Sequence, residues 1–271
     1  MKLIGRGYSL PAILTGLLVT IAASVYGAMA VSAAKPHWPH EQSDLVPDPN
    51  VSFGRLANGF RYVLLENAKP KDRVSLHLVV NVGAIHENDD ERGLAHFLEH
   101  MLFNGSTHFA PGELVKYFQK IGMQFGPDAN ASTGFFRTVY DINLPQGDRA
   151  SLDEALLVIS DYAEGALLLP EEIEREREVI LAEKRTRDSA EYRTYVASLQ
   201  FELAGTRYPD RLPIGTEAVI RGADREKFKA FYDAWYRPDN MVLIMVGDYD
   251  RTVAEALIEQ RFGGMRPRRE S

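Results

Sequence analysis

Gly93-Leu94-Ala95-His96-Phe97-Leu98-Glu99-His100-Met101-Leu102-Phe103 is the stretch on which the reading of this chain turns. Residues three and four apart on a helix share a face, so His96 and His100 point the same way and Glu99 lies beside them. Leu94, Phe97, Leu98 and Met101 gather on the opposite face, where they can bury against a core. The expected element is a helix that packs on one side and presents two imidazoles and a carboxylate on the other. Two histidines at this spacing also occur on plain solvated helix faces, so the rest of the chain has to supply the remaining ligand.

Working outward, the residues before this helix read as strands. Leu56-Ala57-Asn58-Gly59-Phe60 sets Asn-Gly between apolar flanks, which predicts a type I′ hairpin, with Arg61 to Leu65 as the returning strand. Val74 to Val82 alternates Val74, Leu76, Leu78, Val80 and Val82 with Ser75, His77, Val79 and Asn81, the pattern of a strand with one buried face. His77 falls on the less apolar face and reads as structural. Asp89 or Asp90 is placed to cap the helix, and Asn104-Gly105 to stop it.

Downstream, Pro111 to Ile121 reads as a second helix and Thr138 to Leu144 as a strand. Ser151-x-x-Glu154 is a capping box that opens a helix to about Leu168. Pro170 fits the first turn of the next helix, which carries Ile173, Glu176, Ile180 and Glu183 and runs on into a long charged segment. Asp224 caps a helix to about Trp235. Met241 to Val246 is a continuous apolar run, expected as a buried central strand. Thr252-x-x-Glu255 opens a last helix ending at Gly263. Strands pair first, helices follow, and strands return without strict β-α alternation. That is an α+β arrangement, a largely antiparallel sheet covered on one side by helices.

The chain has 271 residues, a formal net charge of -7 and 45% hydrophobic residues, enough for a sizeable core. The mild acidity and the lack of a basic patch with interleaved aromatics argue against a nucleic-acid partner. With no cysteine there is no disulfide framework and no thiolate metal site, so any metal must be held by nitrogen and oxygen. Residues 1–34 read as a secretory signal peptide: Lys2 and Arg6, an apolar run from Leu10 to Val25, then Ala28-Met29-Ala30 and Val31-Ser32-Ala33 as small-residue cleavage sites. The expected location is the periplasm or outside the cell, or the membrane if the apolar run is retained as an anchor. Residues 35–50, with His37 and His40, read as an extended linker, residues 51–265 as the folded domain, and 266–271 as a tail.

A catalytic zinc site has three protein ligands and a position for water. Without cysteine, a carboxylate has to be the third. Glu176-Arg177-Glu178-Val179-Ile180-Leu181-Ala182-Glu183 offers two candidates, Glu176 and Glu183, two turns apart on one face and about 10 Å apart along the axis. Spacing alone does not choose between them, and acidic helices are often no more than solvated surface.

The H-x-x-E-H order reverses the H-E-x-x-H of other zinc peptidases. Together with the downstream Val-Ile-x-x-Glu run, it resembles the pitrilysin/insulinase metallopeptidase family, including the catalytic subunit of mitochondrial processing peptidase. The resemblance covers nearly the whole mature chain. It includes Leu56-x-Asn58-Gly59, Gly93 to Gly105, Asn130-Ala131-Ser132-Thr133, Pro213-Ile214-Gly215-Thr216, Trp235-Tyr236-Arg237-Pro238-x-Asn240-Met241 and Val246-Gly247-Asp248.

The resemblance implies a processing-peptidase-like fold and a single zinc ion per chain held by His96, His100 and Glu183. It further implies Glu99 as general base, Glu176 as a supporting acid, and Asn130 and Ala131 on a strand that pairs with a peptide substrate. It also implies a clamshell of two homologous halves, so the expected partner is a second half on another chain or a second copy of this one. A non-catalytic zinc-binding or assembly subunit, or a truncated inactive fragment, is the alternative to an endopeptidase.

Overall fold

The computed structural model describes residues 38–268; the leader, residues 35–37 of the arm and the last residues of the tail lie outside them. Six strands, β1 (Val51–Arg55), β2 (Arg61–Glu66), β3 (Val74–Val80), β4 (Ala129–Thr133), β5 (Thr138–Leu144) and β6 (Met241–Gly247), form one sheet. Their order is β1-β2-β6-β3-β5-β4. The β2–β6 pair is parallel and every other pair is antiparallel. The helices among the described residues are α1 (Leu94–Met101), α2 (Glu113–Lys120), α3 (Arg149–Glu164), α4 (Pro170–Arg187), α5 (Ala190–Glu202), α6 (Glu217–Gly222), α7 (Arg225–Trp235) and α8 (Arg251–Phe262). The α+β reading of a largely antiparallel sheet with helices is the architecture observed.

Alternation builds the core. On β3 the side chains of Val74, Leu76, Leu78 and Val80 are buried, as are Met241, Leu243 and Met245 of β6 and Tyr140, Ile142 and Leu144 of β5. Register aligns Leu78 with Tyr140 on one side and Leu243 on the other. Residues directly opposite across a sheet share a face, so one continuous apolar surface results. Each such side chain stabilises the fold by about 1.5–3 kcal/mol relative to exposure.

The apolar run of β6 is central, as expected, yet it is not buried on both faces: Val242, Ile244 and Val246 are half-buried. Through Val63, Phe53 of β1 lies on that same second face. There the arm packs, with the Trp38 ring 5.2 Å and the His40 ring 4.2 Å from that of Phe53 and Arg61 over Trp38 at 5.3 Å. A short 3-10 turn, Pro39–Gln42, interrupts the segment read as extended linker.

Several local expectations are corrected. Asn58 lacks the positive φ that a type I′ turn needs; Gly59 alone carries one, at 94°. Gly59 N–H donates to Leu56 O at 3.0 Å, a type I turn closed by a left-handed glycine. The Asn58 side chain instead donates to Phe262 O at 2.7 Å and Met265 O at 3.1 Å, tying the end of α8 to the hairpin. Ser151 and Thr252 do not cap α3 and α8. Asp148 and Asp250, one short turn earlier, do so through their carboxylates; they also relieve the dipole at each helix start. The helix α3 ends at Glu164, and the charged segment after α4 is a separate helix, α5, capped by Ser189.

The start of α1 departs most from expectation. Its N-cap position is Gly93, with φ 101°. Neither Asp89 nor Asp90 caps it, because Asp89 pairs with Arg211 and Asp90 with Lys227. Glu87 does the capping: Oε2 accepts from Gly93 N–H at 2.9 Å and Oε1 from Ala95 N–H at 2.8 Å. The Glu87 side chain is fully buried. Burial pushes its carboxyl up to about 7, while the two N–H donors and Arg211 pull the other way.

Two predictions follow from this end of α1. A Cβ on Gly215 (φ 68°) would lie 2.3 Å from Gly93 Cα. Neither backbone can yield, so Gly215→Ala is expected to lower the unfolding free energy by about 2 kcal/mol or more in urea titration. The second concerns pH. Glu87 titrates in the folded state above its ordinary 4.5, so its contribution to stability is complete below that pH and is lost as pH rises through about 7. The unfolding free energy of the unsubstituted chain should fall, relative to Glu87→Gln, by about 3 kcal/mol across that window. Parallel curves for the two proteins would show that Glu87 ionises normally.

Candidate metal centre

The helix α1 is buried over most of its length, Leu94 to Glu99 and Met101 included. Phe97 meets Phe228 of α7 edge-on at 4.8 Å, and Leu98 and Met101 are fully buried. This fixes the rotation of α1 and turns His96, Glu99 and His100 toward β4 and α4. The helix α4 starts at Pro170 and buries Ile173, Ile180 and Leu181. Its Arg177, also buried, donates to Ala223 O at 2.7 Å and to Ile220 O, and its guanidinium lies 5.9 Å from the Phe97 ring. One side chain thus holds α4 against both α6 and α1.

The two candidate acids occupy different sides of His100. Glu176 Oε1 is 2.8 Å from His100 Nδ1, so it takes the nitrogen that points away from the cleft. Glu183 Oε2 lies 3.6 Å from His96 Nε2 and 3.7 Å from His100 Nε2. His96, His100 and Glu183 are the group of donors able to share an ion, all within 4.8 Å of one another. Tetrahedral ligands on zinc bonds of about 2.0–2.1 Å stand about 3.4 Å apart; the two separations from Glu183 are close to that, and two imidazoles with a carboxylate are a donor set that suits zinc. The remaining carboxylate of the motif, Glu99, faces the same cleft without joining the group.

The electrostatics differ between the two histidines, holding His96 neutral and His100 basic. Burial, then the charge of His100, lowers His96 to about 4, leaving its imidazole neutral near pH 7. For His100 burial works downward, but the Glu176 hydrogen bond and the surrounding carboxylates raise it overall. Glu176 also selects the tautomer that leaves Nε2 facing the cleft. His96 Nδ1 is buried and has no such partner among the described residues. Burial raises Glu99 above the usual carboxylate range, opposed by a hydrogen bond from Thr133.

Several contributors were not singled out from sequence. Asn104, read as a helix stop, donates to Glu176 Oε2 at 3.0 Å and to His100 O at 3.2 Å. Arg187, one turn after Glu183, donates from Nε to Glu183 Oε1 at 2.9 Å; that i, i+4 spacing was visible in the sequence. Thr133 donates to Glu99 Oε2 at 2.5 Å. It stood in the quoted block Asn130 to Thr133, but its partner is a strand-to-helix contact that no local pattern encodes.

Asn130 and Ala131 lie on β4, the end strand of the sheet. Asn143 N–H donates to Asp128 O at 2.7 Å and Gly134 N–H to Arg137 O at 2.9 Å. Both pairs continue the β4–β5 register. Ladder bonds in an antiparallel pair fall on alternate residues, so Asn130 and Ser132 bond to β5. The backbone N–H and C=O of Ala131 and Thr133 point to the open edge, and the Asn130 side chain is exposed.

A cleft of about 370 Å³ beside this edge is lined by His96, Glu99, His100, Thr133, Glu183 and Arg187 among others. A neighbouring lobe of about 290 Å³ contains Phe103, Val115 and Phe125. A larger cavity of about 660 Å³, between α4, α5 and α6, holds none of the three donors.

Comparison with known proteins agrees with this geometry. Residues 62–203 match the family described as insulinase (peptidase family M16), and residues 222–270 match the peptidase M16 inactive domain. The chain is 40% identical over 220 residues to a probable zinc protease PqqL of Haemophilus influenzae, covering 81% of this chain and 24% of that protein. It is 31% identical to an uncharacterized zinc protease of Rickettsia felis, covering 76% of this chain and 49% of that one. Among solved structures, the first half of the periplasmic protease PqqL from Escherichia coli superposes with a TM-score of 0.80 at 36% identity, over 84% of this chain and 48% of that structure. The chain therefore spans about a quarter of the PqqL protein and half of the Rickettsia one. With the H-x-x-E-H helix, the distant glutamate and the family match on the same residues, this chain belongs to the insulinase (M16) peptidase family.

Proposed function

We propose that this chain is the metal-bearing module of a zinc-dependent endopeptidase that hydrolyses extended or unfolded peptides. The observation that carries this reading is the meeting of three donors, with Glu183 Oε2 at 3.6 Å from His96 Nε2 and 3.7 Å from His100 Nε2, beside Glu99 and an open strand edge. His96, His100 and Glu183 would hold a single zinc ion, which when bound supplies a water of lowered pKa and polarises the scissile carbonyl. Glu99 accepts the proton of the attacking water and returns it to the leaving amine. Its burial-raised pKa brings it closer to the operating pH that such a shuttle needs.

Glu176 holds the His100 ring from behind, and Arg187 holds the outer oxygen of Glu183. Substrate lies along β4, pairing with the backbone of Ala131 and contacting the side chain of Asn130. Backbone pairing of this kind reads extended chains rather than particular side chains. The rest of the clamshell closes the chamber; the coverage of the longer relatives supports a second homologous half. Export to the periplasm is supported by the leader-like residues 1–34 and by the periplasmic PqqL relative.

Purified chain should bind one zinc ion by atomic absorption and cleave an unfolded fluorogenic peptide in a chelator-sensitive manner. Glu99→Gln should retain the zinc and lose about 10²–10⁴-fold in kcat; cleavage that survives this substitution sinks the mechanism. Glu176→Gln should weaken zinc affinity by about 10–100-fold, measured by competition with a chromogenic chelator. Unchanged affinity would leave Glu176 with no role in orienting His100.

A further inference from the structure

We propose that Thr133 is a positioning residue for the proton-carrying carboxylate, tying Glu99 to the strand on which the peptide lies; this rests on the peptidase reading above. The first support is a count of protons. Thr138 Oγ1 donates its proton to Val82 O at 3.0 Å, so it has none for Thr133 Oγ1, 3.4 Å away. The Thr133 hydroxyl proton is directed to Glu99 Oε2 at 2.5 Å. Among the described residues this is the hydrogen bond that the Glu99 side chain makes, and only 7% of Glu99 is exposed. One carboxylate oxygen is therefore fixed, and Oε1 is left to meet the water.

The second support is the parity of β4. The ladder bonds to β5 fall on Asn130 and Ser132, so Thr133, like Ala131, turns its own N–H and C=O to the open edge. Side chains stand perpendicular to the strand, so the Thr133 hydroxyl can reach α1 without using those backbone groups. A peptide added to this edge pairs with the residue whose hydroxyl holds the base. The distance between substrate backbone and Glu99 is then set within a single residue, without passing through a flexible loop. A misplacement of about 1 Å at a reacting group can cost about 100-fold in rate, which is the scale on which such a link matters.

The test compares Thr133→Val, which keeps the shape and removes the hydroxyl, with Thr133→Ser, which keeps the hydroxyl. In the full zinc-loaded chain, Thr133→Val is expected to lower kcat by about 10–100-fold. Its KM for an unfolded peptide, and the Kd of the zinc-free chain for the same peptide by fluorescence anisotropy, should stay within about twofold, because the backbone edge is untouched. Thr133→Ser should restore kcat to within about threefold. A crystal structure of zinc-free Thr133→Val should show the Glu99 carboxylate displaced from its position beside β4.

Unchanged kcat in Thr133→Val overturns the proposal. So does a loss matched by an equal loss of peptide binding, a loss that serine does not repair, or a Glu99 that stays in place. Failure of the peptidase reading looks different: the unsubstituted chain would then lack zinc-dependent cleavage, or retain cleavage in Glu99→Gln.

Discussion

The relative height of α1 and α4 is the constraint on which the site depends. The two histidines are one turn apart on α1 and the two glutamates two turns apart on α4, so a shift of α4 by one turn would put Val179 or Ile180 where Glu183 stands, and a shift by two turns would put Glu176 there. Two contacts set the register. Glu176 grips His100 Nδ1 from behind, and Arg177, the next residue, reaches the carbonyls of Ile220 and Ala223 at the end of α6. Those carbonyls have no partner within their own helix, and they carry the negative end of its dipole, which suits a buried guanidinium. A short helix of six residues thus acts as the stop against which α4 is set.

The same packing determines the charge state of the donors. His96 is the more deeply buried of the pair and is held neutral, while His100 is kept basic by acids on several sides. Carboxylates drawn partly out of water are costly unless their oxygens are satisfied. Glu176 spends one oxygen on His100 and one on Asn104, and Glu183 spends its outer oxygen on Arg187. Glu183 Oε2 and the two Nε2 atoms are left turned toward a common point. Which atoms remain as candidate donors follows from which atoms the surrounding residues have already occupied.

This explains what could be read in advance. The helix with two imidazoles, the alternating strands β3 and β5, the central place of β6 and the first turn of α4 at Pro170 all come from local periodicity or from single residues with strong backbone preferences. The choice between Glu176 and Glu183 was not available from spacing, because both lie on one face of α4; the distinction arises only when His100 arrives with a front and a back nitrogen. Glu87 was missed for a similar reason. It sits outside the usual capping position, and it reaches the α1 amides because Gly93 bends the chain back toward it. Asp148 and Asp250 were missed more simply, since a plausible serine or threonine box stood a few residues later. The link from Thr133 to Glu99 crosses from strand to helix, where periodicity carries no information.

An unpaired strand edge beside Glu99 also raises a problem of specificity. Open edges invite any extended chain, including another copy of the same protein. Here the exposed edge is only five residues long, and the exposed side chains on it, Asn130 and Ser132, are polar and small. The pairing of Gly126 N–H with Ala129 O at 2.8 Å closes one end, and the hairpin at Gly134 to Arg137 closes the other. What remains open is the span of Ala131 and Thr133, directly beside Glu99. An edge this short gives too few backbone hydrogen bonds to hold a chain tightly by itself. A peptide on this edge would therefore need further contacts, and the adjoining lobe that contains Phe103, Val115 and Phe125 is placed to give them.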